Sequence, residues 1–193
     1  MPNPPFFQYS LLGYICLASN LIITKLLYPR ARLIRFPFFV RGSAHISFGE
    51  NLTTGRHCRI DALTTSEISS SSRIKLVFGR NVQIGDRVHI AAAEQVIFGD
   101  DCLIASNVFV SDHDHGSSDI ASMLLSPSKR ELVTSPVKIG NSCWIGQNVC
   151  ILKGVTLGES CIVAAGAVVS RSFPAFSVIA GVPAKLLKAV QLS

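Results

Sequence analysis

Two of the five histidines in this 193-residue chain, His113 and His115, lie close together in the segment SDHDHGSSD. Asp112 and Asp114 alternate with them, and Asp119 follows shortly afterwards. An imidazole titrates near neutral pH, and a neighbouring carboxylate or carbonyl can orient its ring. This pattern is typical of a general base in an enzyme.

Two other interpretations of these residues stay open. The segment also has the composition of an ordinary solvated loop of Asp and His. Together with His89 as a third imidazole it is a candidate metal site, although His89 could equally face solvent. We expect no metal, because no CxxC pair and no zinc-knuckle spacing occurs among the six cysteines.

A six-residue repeat of large apolar residues surrounds the histidines. Its longest run places these residues at Ile139, Ile145, Ile151, Leu157, Val163 and Val169. Gly or Ala often follows, and a smaller apolar residue lies four positions later. Neither an amphipathic helix nor a single strand has this period. We interpret each hexad as one face of a solenoid coil, in which three faces close a turn and stacked coils bury a continuous apolar core.

The repeat stops between Val110 and Val137, and the histidines lie at the start of this break. Loops that leave a rigid scaffold commonly carry function. The Ser-rich stretch 64–72 is expected to deform one coil or to bulge from it. The predicted organisation is an apolar helix and basic arm at 1–41, a repeat domain at 42–182 with an extruded catalytic loop at 112–136, and a capping helix at 183–193.

Composition indicates a well-packed domain with an anionic partner. Hydrophobic residues make up 48% of the chain and charged residues 16%, which excludes intrinsic disorder. The net charge of +6 suits a phosphorylated cofactor, an acidic lipid surface or nucleic acid. No nucleic-acid-binding module is recognisable, so we expect no nucleic-acid partner. Four cysteines should be small core residues in a reducing compartment: Cys58, Cys102, Cys143 and Cys161.

The amino-terminal segment is apolar and carries no charged side chain before Lys25. It lacks the basic start and the small-residue cleavage site of a signal peptide. Interrupting polar residues favour an amphipathic helix over a membrane span. Four arginines interleaved with phenylalanines follow, a pattern typical of segments that bind an anionic membrane surface. Residues 5–41 are therefore expected either to contact the inner membrane or to pack on the protein or on a neighbouring subunit.

Three segments carry a resemblance to a known family: ASNVFVSDHDHG (105–116), IGNSCWIGQNVCILKGVTLGESCIVAAGAVV (139–169) and IAGVPAKLLK (179–188). They resemble the hexapeptide-repeat acyltransferase superfamily, in particular the galactoside, maltose, lipopolysaccharide and capsule O-acetyltransferases. The resemblance covers roughly residues 75–190. It implies an all-β fold, a left-handed parallel β-helix of hexapeptide repeats with an N-terminal α-helix and a short C-terminal helix.

The same resemblance implies a function. The protein is expected to be a cytoplasmic homotrimer, either free or at the cytoplasmic face of the inner membrane, with active sites between neighbouring subunits. It would transfer an acetyl group from acetyl-CoA directly to a sugar hydroxyl. The acceptor would be a surface-polysaccharide or lipopolysaccharide precursor, and a lipid-linked saccharide would suit the apolar helix.

Site residues follow from the motifs by resemblance. A gap-free alignment of the ASNV hexad places the catalytic base on His115, with His113 as the competing candidate. Trp144 is expected near the acetyl or acceptor end, and Asp114 is a further candidate for substrate binding. Galactoside-type members carry an acceptor-binding Asn that VHIAAAEQ (88–95) lacks, so His89 or Glu94 is a candidate in its place. The positions expected to contact acetyl-CoA are Ala165, Ser170, Arg171, Lys185 and Lys188.

Other function classes share this fold and remain alternatives. The acceptor could be an antibiotic or an amino acid instead of a sugar. A zinc hydratase similar to carbonic anhydrase would need a bound metal. A catalytically silent β-solenoid would serve only as a scaffold.

Overall fold

The hexads build a three-sided parallel β-solenoid in the computed structural model, which describes residues 9–63 and 74–190. Within the coils, each strand pairs in parallel with the equivalent strand of the neighbouring coil, so the three faces are built from parallel strands. This confirms the parallel β-helix of hexapeptide repeats. The Ser-rich stretch 64–72 lies outside the described residues.

We number the faces in the order in which the chain meets them. The parallel strands of face 1 are Leu33–Ile34, Thr53–Thr54, Gln83–Ile84, Leu103–Ile104, Trp144–Ile145, Ile162–Val163 and Ser177–Ala180. The strands of face 2 are Phe38–Arg41, Cys58–Ala62, His89–Ala92, Phe109–Ser111, Cys150–Ile151 and Val168–Val169. The strands of face 3 are Ile46–Ser47, Leu76–Phe78, Val96–Phe98, Val137–Ile139 and Thr156–Leu157.

The core is the stack of inward-pointing hexad residues. All six residues of the longest run are buried, from Ile139 to Val169. On face 3 the aromatic rings of Phe48, Phe78 and Phe98 stack with centroid separations of 6.1 and 5.4 Å. Residues one coil apart therefore bury their apolar surface against each other, which is the main source of stability in a solenoid. The four cysteines expected in the core are also buried, which confirms that prediction.

The coil continues in register on both sides of the break at 112–136. Ser111 still pairs with Ala91 before it, and Val137 pairs with Val96 after it. Between them the chain forms an antiparallel hairpin of His113–His115 with Leu132–Thr134. Its tip holds the short helix Ile120–Met123 and the 3₁₀ turn Pro127–Lys129. A second 3₁₀ turn, Ser43–His45, lies between faces 2 and 3 of the first coil.

Helix α1, Leu11–Leu27, turns its polar side toward the solenoid. The Thr24 hydroxyl accepts a hydrogen bond from the backbone N–H of Ile34, and the Asn20 side-chain oxygen accepts one from Phe36, at 2.9 and 3.1 Å. Both polar side chains are buried. The rest of the helix surface is mostly apolar and exposed: Leu11, Leu12, Tyr14, Ile15, Leu21, Ile22, Leu26 and Leu27. An amphipathic N-terminal helix is thus confirmed. No helix within 9–63 or 74–190 is long and apolar enough to cross a membrane.

The predicted C-terminal capping helix at 183–193 is wrong over the described part of that range. Residues Lys185–Ala189 form a strand that pairs antiparallel with Ser177–Ala180 at the end of face 1. A turn that contains Pro183 reverses the chain and leaves the open edge of the last coil within reach. Backbone pairing with that edge satisfies the N–H and C=O groups that a parallel stack leaves unpaired at its end.

Candidate active site

The extruded hairpin is anchored by a buried aspartate. Asp112 has no exposed side-chain surface and accepts hydrogen bonds from the backbone N–H groups of Ala93, Glu94 and Gln95, at 2.8, 2.8 and 2.7 Å. These donors belong to the preceding coil, where face 2 turns into face 3. These three hydrogen bonds hold the carboxylate in a fixed orientation against the coil. Asp112 therefore fixes the point at which the hairpin leaves the coil.

The same carboxylate orients the first of the two histidines. Nδ1 of His113 lies 2.9 Å from Oδ1 of Asp112, and only 10% of the His113 side chain is exposed. The Ser111 hydroxyl lies 3.3 Å from the same nitrogen. A carboxylate can only accept, so in the neutral ring Nδ1 carries the proton and Nε2 holds the lone pair. This is the arrangement of a general base with an orienting acid beside it.

The second histidine has no such partner among residues 9–63 and 74–190. His115 is exposed, and its ring packs edge-on to His113 with the centroids 6.3 Å apart. Between them, Asp114 is exposed and its carboxylate lies 3.5 Å from the Lys153 ammonium group, which belongs to the next coil. The structure thus brings both predicted histidines to one place, and of these two only His113 has a carboxylate of the described residues at its ring.

Two of the predicted acetyl-CoA residues lie on the same corner as the hairpin. Ser170 and Arg171 follow face 2 of the last coil, and Lys153 follows face 2 of the coil between. The guanidinium group of Arg171 lies 5.2 Å from the ring centre of Phe173. A row therefore runs along the corner of faces 2 and 3, from His113 past Lys153 to Ser170.

The other three predicted acetyl-CoA residues lie elsewhere. Ala165 and Lys185 are exposed at the corner between faces 1 and 2, where the backbone N–H of Ala184 bonds Val168 at 2.8 Å. Lys188 pairs with Val178 farther along face 1. Within one chain the five predicted positions therefore lie in three places. Ser170 and Arg171 are at one edge of face 2, Ala165 and Lys185 are at its other edge, and Lys188 is on face 1.

Trp144 and His89 occupy different faces. Trp144 is 51% exposed on face 1, in register between Leu103 and Ile162, so it does not adjoin His113 within one chain. His89 lies on face 2, where its ring packs edge-on to Phe109 at 5.5 Å. Because face 2 leads directly into the hairpin, His89 shares a surface with the candidate base.

Sequence reasoning missed a cluster of charged residues on face 2. Asp61 is buried, and it accepts hydrogen bonds from Arg41 through Nε and Nη2 and from Arg59 through Nε, at 2.7–2.9 Å. Nε2 of His89 lies 3.3 Å from the same carboxylate. Burial alone would raise the pKa of Asp61, but the hydrogen bonds from these three side chains outweigh it and lower the pKa to about 2. The sequence feature that could have revealed this cluster is the spacing of Arg41 and Asp61, which are 20 residues, or one coil, apart.

The part of the chain that the structure describes contains no candidate metal site. No group of three or more His, Cys, Asp or Glu side chains there could hold an ion. His89, the third imidazole considered for such a site, contacts Asp61 and not the hairpin histidines.

Comparisons with known proteins agree with this scaffold. The bacterial transferase hexapeptide family (six repeats) matches residues 136–171. The putative lipopolysaccharide biosynthesis O-acetyl transferase WbbJ of Escherichia coli K12 is 43% identical over 185 residues, which cover 94% of this chain and 90% of that protein. The chain belongs to the hexapeptide-repeat acetyltransferases. Within this family it lies in the branch of sugar and lipopolysaccharide O-acetyltransferases, as the resemblance of its motifs implied.

Other similar proteins share less of the sequence. Galactoside O-acetyltransferase of E. coli K12 is 33% identical over 112 residues, 58% of this chain and 53% of that protein. A solved galactoside acetyltransferase in complex with coenzyme A superposes with a TM-score of 0.56 at 29% identity, covering 73% of this chain and 66% of that one. AntD, an N-acyltransferase from Bacillus cereus, superposes with a TM-score of 0.66 at 19% identity, covering 82% and 80%, and so shares the fold.

Proposed function

We propose that this protein transfers an acetyl group from acetyl-CoA to a sugar hydroxyl during the synthesis of a surface polysaccharide or lipopolysaccharide. The observation that carries the proposal is the pair of Asp112 and His113 at the root of the extruded hairpin. WbbJ, which matches nearly the whole chain, is named as a putative O-acetyltransferase of lipopolysaccharide synthesis. The galactoside acetyltransferase of similar fold was solved with coenzyme A.

The chemistry requires one base and a site for the thioester. Nε2 of His113 takes the proton of the sugar hydroxyl as that oxygen attacks the acetyl carbonyl carbon. The negative charge that develops on the carbonyl oxygen needs hydrogen-bond donors already in place. When the carbon–sulfur bond breaks, the imidazolium returns its proton to the leaving CoA sulfur. Asp112 stabilises the imidazolium and holds the ring in the required tautomer.

The motif alignment and the contacts favour different histidines. The gap-free alignment favours His115, whereas orientation by a buried carboxylate favours His113, which we propose as the base. Thiol release from acetyl-CoA in the presence of acceptor glycans tests this. We expect His113→Ala to lower turnover by a factor on the order of 10² or more. His115→Ala, the matched control in the same hairpin, should retain most turnover. The opposite result would assign the base to His115.

We propose that acetyl-CoA lies along the corner of faces 2 and 3, with its pantetheine arm beside Ser170 and its phosphates near Arg171. Ala165, Lys185 and Lys188 lie too far round the solenoid to join this row within one chain. They would contribute from a neighbouring subunit of a homotrimer, in which Trp144 on face 1 would also approach a neighbouring hairpin. We also propose that the coil is left-handed, as the resemblance to the family implies. Light scattering that detects only monomer would contradict the shared site.

We also propose that α1 lies on the cytoplasmic face of the inner membrane. Its apolar side is exposed, and Lys25, Arg30 and Arg32 are exposed at its end and just beyond it. Anionic headgroups attract such cations while the apolar face enters the interface. Flotation with anionic vesicles should therefore recover the protein, and Ile22→Glu should reduce recovery. Ile120→Glu changes an exposed isoleucine on the hairpin and should not; equal recovery of both variants would contradict the proposal.

A further inference from the structure

Face 2 presents two arginines whose hydrogen-bonding capacity is only partly used. Asp61 engages Nε and Nη2 of Arg41 and Nε of Arg59. Among the described residues nothing pairs with Nη1 of Arg41 or with either Nη of Arg59. The two side chains remain 60% and 49% exposed. The buried carboxylate therefore holds two guanidinium groups in place while their outer N–H groups face solvent.

An open pocket of about 770 Å³ lies over these donors. Phe38, Phe39 and His57 line it together with the two arginines. Asp61 is the sole carboxylate among its lining residues, and both of its oxygens are already engaged. Two guanidinium groups against one carboxylate leave an excess of positive charge. Guanidinium groups fixed in this way match the geometry of phosphate oxygens, and little side-chain entropy is lost when an anion binds.

The pocket lies on the same surface as the candidate base. Arg59 is in register with His89 and then Phe109, and Asp61 with Ala91 and then Ser111. Two strand spacings separate Arg59 from the strand that leads into the hairpin, roughly 10 Å, and three separate Arg41 from it, roughly 14 Å. A sugar attached to a diphosphate is long enough to bridge such a distance. An anion in the pocket would therefore direct its sugar toward His113.

We infer that Arg41 and Arg59 bind the phosphate or diphosphate group that carries the acceptor sugar. This inference rests on the proposed acetyl transfer and specifies its acceptor. Asp61 is a positioning residue, since it acts by holding the arginines. The acceptor then approaches from the N-terminal coils, where α1 lies, and acetyl-CoA from the C-terminal coils. The two substrates meet at the hairpin from opposite ends of the solenoid.

Isothermal titration with inorganic pyrophosphate tests the site directly. We expect wild-type protein to bind it, with an affinity that falls as salt is added. Arg41→Gln and Arg59→Gln should each weaken binding by about tenfold or more, because each removes charge-assisted hydrogen bonds. Arg80→Gln is the matched control: Arg80 pairs with Asp100 at 2.7 Å and is 68% exposed, but lies outside the pocket. Absence of wild-type binding, or unchanged binding in both variants, would overturn the inference.

Two further probes distinguish the source of the phosphate. Uridine diphosphate represents a nucleotide-linked sugar, and phosphatidylcholine vesicles that contain a polyprenyl diphosphate represent a lipid-linked one. The probe whose binding depends on Arg59 identifies the carrier. Thiol release separates the two proposals. Normal release with a phosphate-free sugar, together with no pyrophosphate binding, would overturn the anion site alone. Pyrophosphate binding that depends on Arg59 supports the anion site even if the protein never cleaves acetyl-CoA. A protein that never cleaves acetyl-CoA would overturn the proposed acetyl transfer.

Discussion

Replacing Asp112 by Asn should damage both stability and catalysis, because one carboxylate serves both. Oδ1 accepts from the Ala93 N–H and from His113, and Oδ2 accepts from Glu94 and Gln95. Asn keeps one acceptor oxygen and presents an NH₂ group at the other position. With its NH₂ group at the Oδ2 position, the amide faces the Glu94 and Gln95 N–H groups and loses two hydrogen bonds. At the Oδ1 position it loses the bond from Ala93, and it can donate to His113 only if the ring takes the other tautomer.

The cost follows from those bonds. Each hydrogen bond to a charged group contributes about 1.5–3 kcal/mol, so the loss of one or two should cost roughly 1.5–6 kcal/mol of unfolding free energy. For a chain of this size each 1 kcal/mol lowers Tm by about 2–4 °C. In the second orientation the His113 ring loses the acceptor that keeps the proton on Nδ1, so Nε2 no longer holds the lone pair that a base needs. We expect turnover to fall by a factor on the order of 10².

Thermal unfolding and thiol release from acetyl-CoA measure the two effects on the same samples. Asp119→Asn is the control, because Asp119 is an exposed helix cap that accepts the Ser122 N–H at 2.8 Å. Asn caps helices about as well as Asp, so the change should be within about 0.5 kcal/mol. An Asp112→Asn protein with wild-type Tm and wild-type turnover would refute the role assigned to this carboxylate.

Three further predictions concern the scaffold. Thr24→Val should cost about 1–3 kcal/mol in urea unfolding, because it leaves the Ile34 N–H unpaired; no loss would mean that α1 is not docked. Gly79→Ala should lower Tm more than Gly166→Ala. The first Cβ would lie 2.5 Å from backbone of the next coil, whereas the second meets open space and costs about 1 kcal/mol for its positive φ. Equal shifts would contradict tight stacking. The pKa of Asp61 is about 2 in the fold against 3.8 ordinarily, so its ionised form stabilises above pH 3.8 and this advantage disappears as pH falls through 2. The stability difference from Asp61→Asn should shrink over that range, and a constant difference would contradict the cluster.

The regular part of the fold could be predicted because its signal is local and repeated. Ile139, Ile145 and Ile151 each report the same inward position, so the error of one assignment is corrected by the next. The C-terminal segment has no such repetition. Its apolar residues after Pro183 fit a short helix equally well. The strand forms because the edge of Ser177–Ala180 needs partners, a requirement that arises only in the assembled sheet.

The site was predictable in part. The break in the repeat located both histidines and the acids near them, Asp112 included. The orientation of the His113 ring was not predictable, because it depends on Asp112, which is held by N–H groups of the preceding coil. Arg41 and Asp61 escaped notice because they adjoin only after one complete turn. Likewise, the two sides of α1 were visible in the sequence. Which side met the protein depended on Ile34, whose N–H is satisfied by Thr24.

The hairpin enters and leaves the solenoid without disturbing the coil pairing on either side of it. Ser111 and Val137 keep the partners they would have in an uninterrupted turn. Its length and chemistry are therefore decoupled from the folding of the scaffold, as a long surface insertion adds only slowly to the entropic cost of closing its ends. Natural selection, or a protein engineer, can exchange this module to accommodate a new glycan while the stack beneath it stays intact.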